Sequence, residues 1–269
     1  MTHAVQVRNL RKNYGKNEAL RGVDLDVGQG EVFALLGANG AGKTTALECI
    51  EGLRRYDGGS VSVRGRTGIQ LQSASLPAHI RGKEAIRLFA KWNRTSPDRA
   101  MLAALGAEAL ADKQYREMST GQKRRLHLAL ALTGNPDILF LDEPTAGLDT
   151  EGRLSLHACI RALKGRGKTV LLSSHDMAEV ESLCDGIAIL LDGRIAFAGT
   201  AGELADRLGS RYSVRIKTNL GLEEFEVEDI EKELPAVLRA CREKNAAIKD
   251  IQVDRGSLER HFVRITKGE

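Results

Sequence analysis

The chain is poor in the features that would let it act alone on a membrane, a metal or a nucleic acid. Its longest aliphatic runs are segments such as ILFLD and IAILLD, far short of the roughly 20 apolar residues that cross a bilayer. Any membrane role is therefore expected to come through a partner. The opening MTHAVQVRNL lacks the apolar stretch of a secretory leader, so a cytoplasmic location is expected. Four cysteines, Cys49, Cys159, Cys184 and Cys241, are scattered without a CxxC pair. That spacing argues against a zinc ribbon or a disulfide framework and suits a reducing compartment. Charge of one sign is missing too: 40 basic residues stand against 36 acidic ones, well mixed, for a net charge of +4. A nucleic-acid partner would favour a concentrated basic stripe, and no such partner is expected.

What is present is enough for a sizeable core: 269 residues, 42% of them hydrophobic, suit one large domain or a large one with a small companion. VQVRNL, VDLDV and EVFALL read as strands, and KTTALECIEGL as a helix closed by Gly52. GSVSVRG and TGIQLQ follow as short strands. From about 77 to 135 the pattern turns helical, in GKEAIRLFAKWNR, DRAMLAALGAEAL and STGQKRRLHLALAL, with Ile86, Phe89 and Ala90 on one face of the first. This reads as a helical subdomain inserted between strands. DILFLD, KTVLLSS and GIAILLDG return to strand, with helices between. Such an order predicts an α/β fold with a mixed, mostly parallel sheet covered by helices, over residues 1–208. Residues 209–269 read as a small α+β appendage, with SVRIKT, EFEVED and IKDIQV as strands, LPAVLRACREKNA as a helix, and SLERHFVRI as a closing helix capped by Ser257.

GANGAGKTT, from Gly37 to Thr45, fits the phosphate-loop pattern G-x-x-x-x-G-K-[ST], and it has the required strand before it and helix after it. Gly37, Gly40 and Gly42, with Asn39 and Ala41 between them, let successive backbone N–H groups turn inward on phosphate oxygens. The helix start at Lys43, Thr44 and Thr45 adds its partial positive charge. Lys43 would meet the β and γ phosphates, and the Thr44 hydroxyl would ligate Mg2+. A carboxylate must complete a magnesium site. ILFLDEP supplies it at a buried strand's end, with Asp142 for the metal and Glu143 as the general base for an attacking water. The chain is expected to bind and hydrolyse Mg-ATP.

A second glycine-bearing stretch, MSTGQ, lies at 118–122 and is followed by Lys123, Arg124 and Arg125, which read as a solvated helix face. MSTGQ resembles the LSGGQ signature of ATP-binding cassette (ABC) ATPases, keeping Ser119, Gly121 and Gln122 and departing at Met118 and Thr120. Other stretches resemble the family in its own order. Tyr14 sits where the family stacks an aromatic on adenine, and Gln72 where its Q-loop glutamine contacts Mg2+ and the attacking water, Gln70 being a competing assignment. AGLD, ending at Asp149, resembles the D-loop, and His175 the switch histidine on the γ-phosphate. The resemblance spans Ala4 to about Leu208. It implies that Ser119, Gly121 and Gln122 cap a nucleotide held by a second copy of the chain, in an ATP-bound homodimer. It also implies a separate integral-membrane permease, with this chain peripheral on the cytoplasmic face of the membrane. IQLQSASLP, GQKRRLHLALAL and SLERHFVRITKGE resemble the type-2 exporter ATPases, a group that includes drug and antibiotic resistance pumps. An importer ATPase, or a soluble ABC ATPase such as those of cluster assembly, is the alternative. Leu76, Pro77, Ile80, Phe89 and Trp92 form an apolar stretch that reads partly as subdomain packing and partly as a groove for a helix of the permease.

Overall fold

The computed structural model describes residues 2–70, 75–207, 212–244, 246–254 and 262. The expected Q-loop residue Gln72 and, apart from position 262, the expected closing helix at 257–265 lie outside the described residues. The chain divides into two compact units, Met1–Asp176 with Ser182–Ala198, and Met177–Glu181 with Gly199–Glu269.

In the first unit, β1 (His3–Tyr14) and β2 (Asn17–Gly28) pair antiparallel, and β4 (Gly58–Val63) adds to the other side of β1. The turn between β1 and β2 leaves Tyr14 opposite Asn17. So short a connection can join only antiparallel neighbours. These strands therefore form a sheet of their own instead of joining the parallel one. The central sheet has six strands in the order β5-β6-β7-β3-β8-β9. They are β3 (Val32–Leu36), β5 (Thr67–Gln70), β6 (Ile138–Asp142), β7 (Thr169–Ser174), β8 (Gly186–Leu191) and β9 (Arg194–Gly199). β3 with β7 and β8, and β6 with β5 and β7, pair parallel, as the strand and helix order predicts. β9 was not expected from the sequence. It follows β8 through Asp192 and Gly193, both at positive φ, the geometry of a two-residue hairpin turn.

The core closes between the two sheets: Val7, Leu10 and Leu20 of the antiparallel sheet meet Leu47 of α1 (Lys43–Ile50) and Phe140 of β6. Every residue of β3 and β6 is buried, which is why these strands read as unbroken apolar runs. Register then positions the site. Leu36 lies beside Ser174, and Asp142 beside Ser173. The residues one step beyond these strand ends, Gly37, Glu143 and His175, thus emerge at one edge of the sheet, the edge where open α/β sheets bind ligands.

Between β5 and β6 the chain is helical, as expected, with α2 (Gly82–Trp92), α3 (Arg99–Ala104), two short 3-10 turns, and α4 (Thr120–Leu132). The expected single helix over DRAMLAALGAEAL is broken instead, because Gly106 takes φ 63 and stops α3 early. Ala85, Ile86, Tyr115, Leu126 and Leu130 form this region's own core. α5 (Thr150–Gly165) and α6 (Met177–Leu183) complete the alternation with strands.

In the second unit, α7 (Ala201–Arg207), which the sequence reading missed, precedes β10 (Tyr212–Thr218), β11 (Leu222–Val227), α8 (Ile230–Glu243) and β12 (Ile248–Asp254). The strands form an antiparallel sheet in the order β11-β10-β12. Leu234, Val237, Leu238 and Cys241 of α8 pack with Val214, Ile216 and Val227.

Candidate nucleotide site

A cleft of about 490 Å³ opens over the phosphate loop. Asn39, Gly40, Gly42, Lys43, Thr44 and Thr45 form its floor, with Tyr14 and Glu143 in its walls. Gly37 and Ala41 are buried beneath it and shape the loop instead of facing the cleft. Gly42 shows why the loop demands glycine: its φ is 105, and a Cβ there would lie 2.8 Å from the Ala19 carbonyl oxygen. The Lys43 ammonium is almost wholly buried and donates to the carbonyls of Gly37 and Ala38 at 2.8 and 3.2 Å. Burial pushes its pKa down, while the nearby carboxylates of Glu143 and Asp142 oppose that shift.

Asp142 ends β6, buried, and its carboxylate accepts a hydrogen bond from the Ser173 hydroxyl on the neighbouring strand. The same hydroxyl oxygen accepts from the Glu143 N–H at 2.9 Å. Glu143 stands at φ 45, a left-handed conformation that few non-glycine residues adopt. His175 Nδ1 lies 3.4 Å from its Oε1. The Tyr14 ring is half exposed at the cleft mouth, with Lys12 and Arg54 charges 5.7 and 5.4 Å from its centroid. Register and strand ends thus bring Tyr14, the loop, Asp142, Glu143 and His175 together.

For a magnesium ion the donors present suit a hard cation: the buried Asp142 carboxylate at a strand end and the hydroxyl of Thr44, which lines the cleft, both oxygen donors.

Ser119, Gly121, Gln122 and Asp149 do not line this cleft. Ser119 caps α4, its Oγ accepting from the Gln122 N–H at 3.3 Å while Gln122 Oε1 accepts from the Ser119 N–H at 3.1 Å. Asp149 caps α5, accepting from the Gly152 N–H at 2.8 Å. The AGLD segment packs on the start of α4: a Cβ on Gly147 would lie 3.5 Å from the Thr120 methyl, and one on Gly121 3.5 Å from Leu148. Thr120, where the signature has glycine, therefore places its methyl beside its own D-loop.

Two things escaped the sequence reading. The cleft's other wall is built by Asn17 to Ala19, Arg21, Asp192 and Gly193; only the nearness of 17–21 to Tyr14 in KNYGKNEAL signalled any of it. The cations after MSTGQ are not a solvated face: all three are partly buried. Lys123 lies 4.9 Å over the Tyr115 ring, and Arg124 donates to the Glu143 carbonyl at 2.7 Å.

A family model described as ABC transporter matches residues 20–146. The daunorubicin resistance ATP-binding protein DrrA3 of Streptomyces coeruleorubidus is 34% identical over 98% of this chain and 96% of its own length. A fluoroquinolones export ATP-binding protein of Mycobacterium tuberculosis is also 34% identical, over 98% of this chain and 94% of its own. Among solved structures, an ATP-binding subunit of an ABC transporter superposes with a TM-score of 0.72 at 27% identity, covering 77% of this chain and 94% of that one. With the phosphate loop, the Asp142–Glu143 strand end and the capped Ser119 stretch all in place, the chain belongs to the ABC transporter family, as one of its ATP-binding and ATP-hydrolysing subunits.

Proposed function

We propose that this chain powers an exporter of drugs, antibiotics or other small molecules or lipids, as an ATP-driven homodimer on the cytoplasmic side of a separate membrane permease. The match along nearly the whole of two resistance and export ATP-binding proteins supports export over import and over a soluble role. Among the described residues no helix is long and apolar enough to cross a membrane, which fits a subunit that needs a permease. The division of labour between a cassette of residues 1–208 and an appendage of 209–269 belongs to this proposal. So does a place for the permease beside α2, where Trp92 is 82% exposed while Leu76, Ile80 and Phe89 pack on the subdomain core.

In this reading Tyr14 stacks on adenine, and the loop N–H groups with Lys43 hold the β and γ phosphates. Thr44 and Asp142, with Gln72, would hold magnesium, which when bound supplies charge stabilisation at the phosphoryl oxygens. Glu143 takes a proton from the water as its oxygen attacks the γ-phosphorus in line. The bond to the β–γ bridging oxygen breaks, leaving ADP and phosphate. His175, within reach of Glu143, orients the γ-phosphate and the water.

The observation that carries the dimer is the exposure of Ser119, capped and outside its own chain's cleft, at a helix start suited to an anion. The test uses Glu143→Gln, expected to lower turnover by about 10²-fold or more while sparing ATP binding. In sedimentation this variant should be monomeric alone and dimeric with Mg-ATP. Adding Ser119→Arg should abolish the dimer and leave monomer binding intact. A dimer that forms without ATP and ignores Ser119→Arg would sink the composite site.

A further inference from the structure

The Glu143 backbone is held at both of its polar groups. Its N–H donates to Ser173 on β7, and its carbonyl accepts from Arg124 Nη1 at 2.7 Å. The residue between those anchors is left-handed, a conformation that persists in a non-glycine residue only where the surroundings enforce it. Arg124 is partly buried, and burial lowers its pKa against the pull of Glu143 and Asp142, so its guanidinium faces the two catalytic carboxylates from a partly desolvated position. It stands on the second turn of α4, the helix that begins at Ser119. Arg124 thus carries a direct hydrogen bond from the signature helix to the Glu143 carbonyl, which also accepts from the Ala146 N–H at 3.2 Å.

We propose that Arg124 is a positioning residue for hydrolysis: by holding the Glu143 carbonyl it fixes the aim of the Glu143 carboxylate and ties that aim to the position of the signature helix. A displacement of α4 on meeting the opposite nucleotide is then felt at this chain's own base, without any contact between Arg124 and ATP. The inference rests on the assignment of Glu143 as base.

The experiment measures ATP turnover of the full chain for wild type, Arg124→Ala, Arg124→Lys, Glu143→Gln and the Glu143→Gln/Arg124→Ala pair, with nucleotide affinity read alongside. Arg124→Ala is expected to lower kcat by about 10²-fold, the cost of misplacing a catalytic group by about an ångström, with affinity unchanged. Arg124→Lys keeps a donor for the carbonyl and should recover part of the rate. In the Glu143→Gln background Arg124→Ala should cost nothing further, because residues that act as a unit are not additive. Should Arg124→Ala fail to fold, Arg124→Gln replaces it in the same cycle. Wild-type turnover in the alanine variant, additive losses, or a fall in affinity with kcat spared would each overturn the inference. Wild-type turnover in Glu143→Gln would instead overturn the base assignment itself.

Discussion

Two helix starts in this protein, both assigned to phosphate in the proposed mechanism, are built in different ways. α1 begins at Gly42, left-handed, with no side-chain cap, at the floor of the cleft. Its first N–H groups are left for a ligand, and a buried lysine waits beside them. α4 begins at Ser119 in a closed capping box with Gln122, exposed and away from that cleft. Its Ser119 and Gln122 N–H groups are already satisfied within the chain. A serine hydroxyl, however, accepts with its lone pairs and still has one proton to give. The difference teaches that α1 can enclose a phosphate, whereas α4 can meet one only from outside, by its hydroxyl and the backbone of its first turn. Under the composite-site proposal one start is a pocket and the other a lid for a second copy's pocket.

Lys43→Ala breaks the first side of that contrast hardest. Removing one charge-assisted contact costs about 3 kcal/mol, so ATP affinity should fall by about 10²-fold in titrations with a fluorescent nucleotide. Dimerisation should be lost with it, since the γ-phosphate is no longer presented. Unchanged affinity would mean that the ammonium, held on the Gly37 and Ala38 carbonyls, stays there when nucleotide binds.

Two glycine-to-alanine changes sharpen the contrast, because they should act in opposite directions. At Gly42 an added Cβ would meet the Ala19 oxygen at 2.8 Å, at a φ of 105. The expected loss is about 2 kcal/mol or more of folding stability, together with damaged ATP binding. At Gly121 the Cβ finds only ordinary contact with Leu148, inside a helix. There alanine should raise the monomer's stability by up to about 1 kcal/mol through helix propensity, yet hinder the ATP-bound dimer where backbone must approach phosphate. Thermal melting and sedimentation of the two variants separate these effects. A Gly121→Ala protein that dimerises normally would show that the lid does not close on this residue.

The pocket side of the contrast was legible in the sequence and much of the lid side was not. Gly37 to Thr45 and the Asp142–Glu143 pair are contiguous patterns whose chemistry needs those residues side by side, so the spacing carries the reading. Ser119 was legible only through resemblance, since a serine-capped helix start is common. Arg124 was misread because a cation three residues after a glycine looks solvated until the fold brings Glu143 to it. Most of the wall at Asn17 to Arg21 was hidden for the same reason: only the fold sets Gly42 against Ala19. β9 and the antiparallel sheet were lost to tight turns, which decide pairing direction more than apolar pattern does. Gln72 lies outside the described residues, so its choice over Gln70 stays an expectation.

The last contrast lies at the far end of α1. Glu51 caps that helix, and neither of its carboxylate oxygens, both buried, has a hydrogen-bond partner. Burial, then the charges of Asp142 and Glu48, raise its pKa from 4.5 to about 7. The sign follows from proton counting. Between pH 4.5 and about 7 the folded chain holds a proton at Glu51 that the unfolded chain has released. Folding stability is therefore lost as pH rises through that window, by at most about 3 kcal/mol once Glu51 is ionised. Glu51→Gln keeps the shape and removes the charge, so it should melt higher than wild type at pH 8 and converge with it at pH 5. The expected gain at pH 8 is about 2 kcal/mol. Melting curves of both proteins across that range settle the matter. A gap that does not widen with pH would mean that the Glu51 carboxyl is charged and satisfied in solution, and that the end of α1 carries no neutral acid.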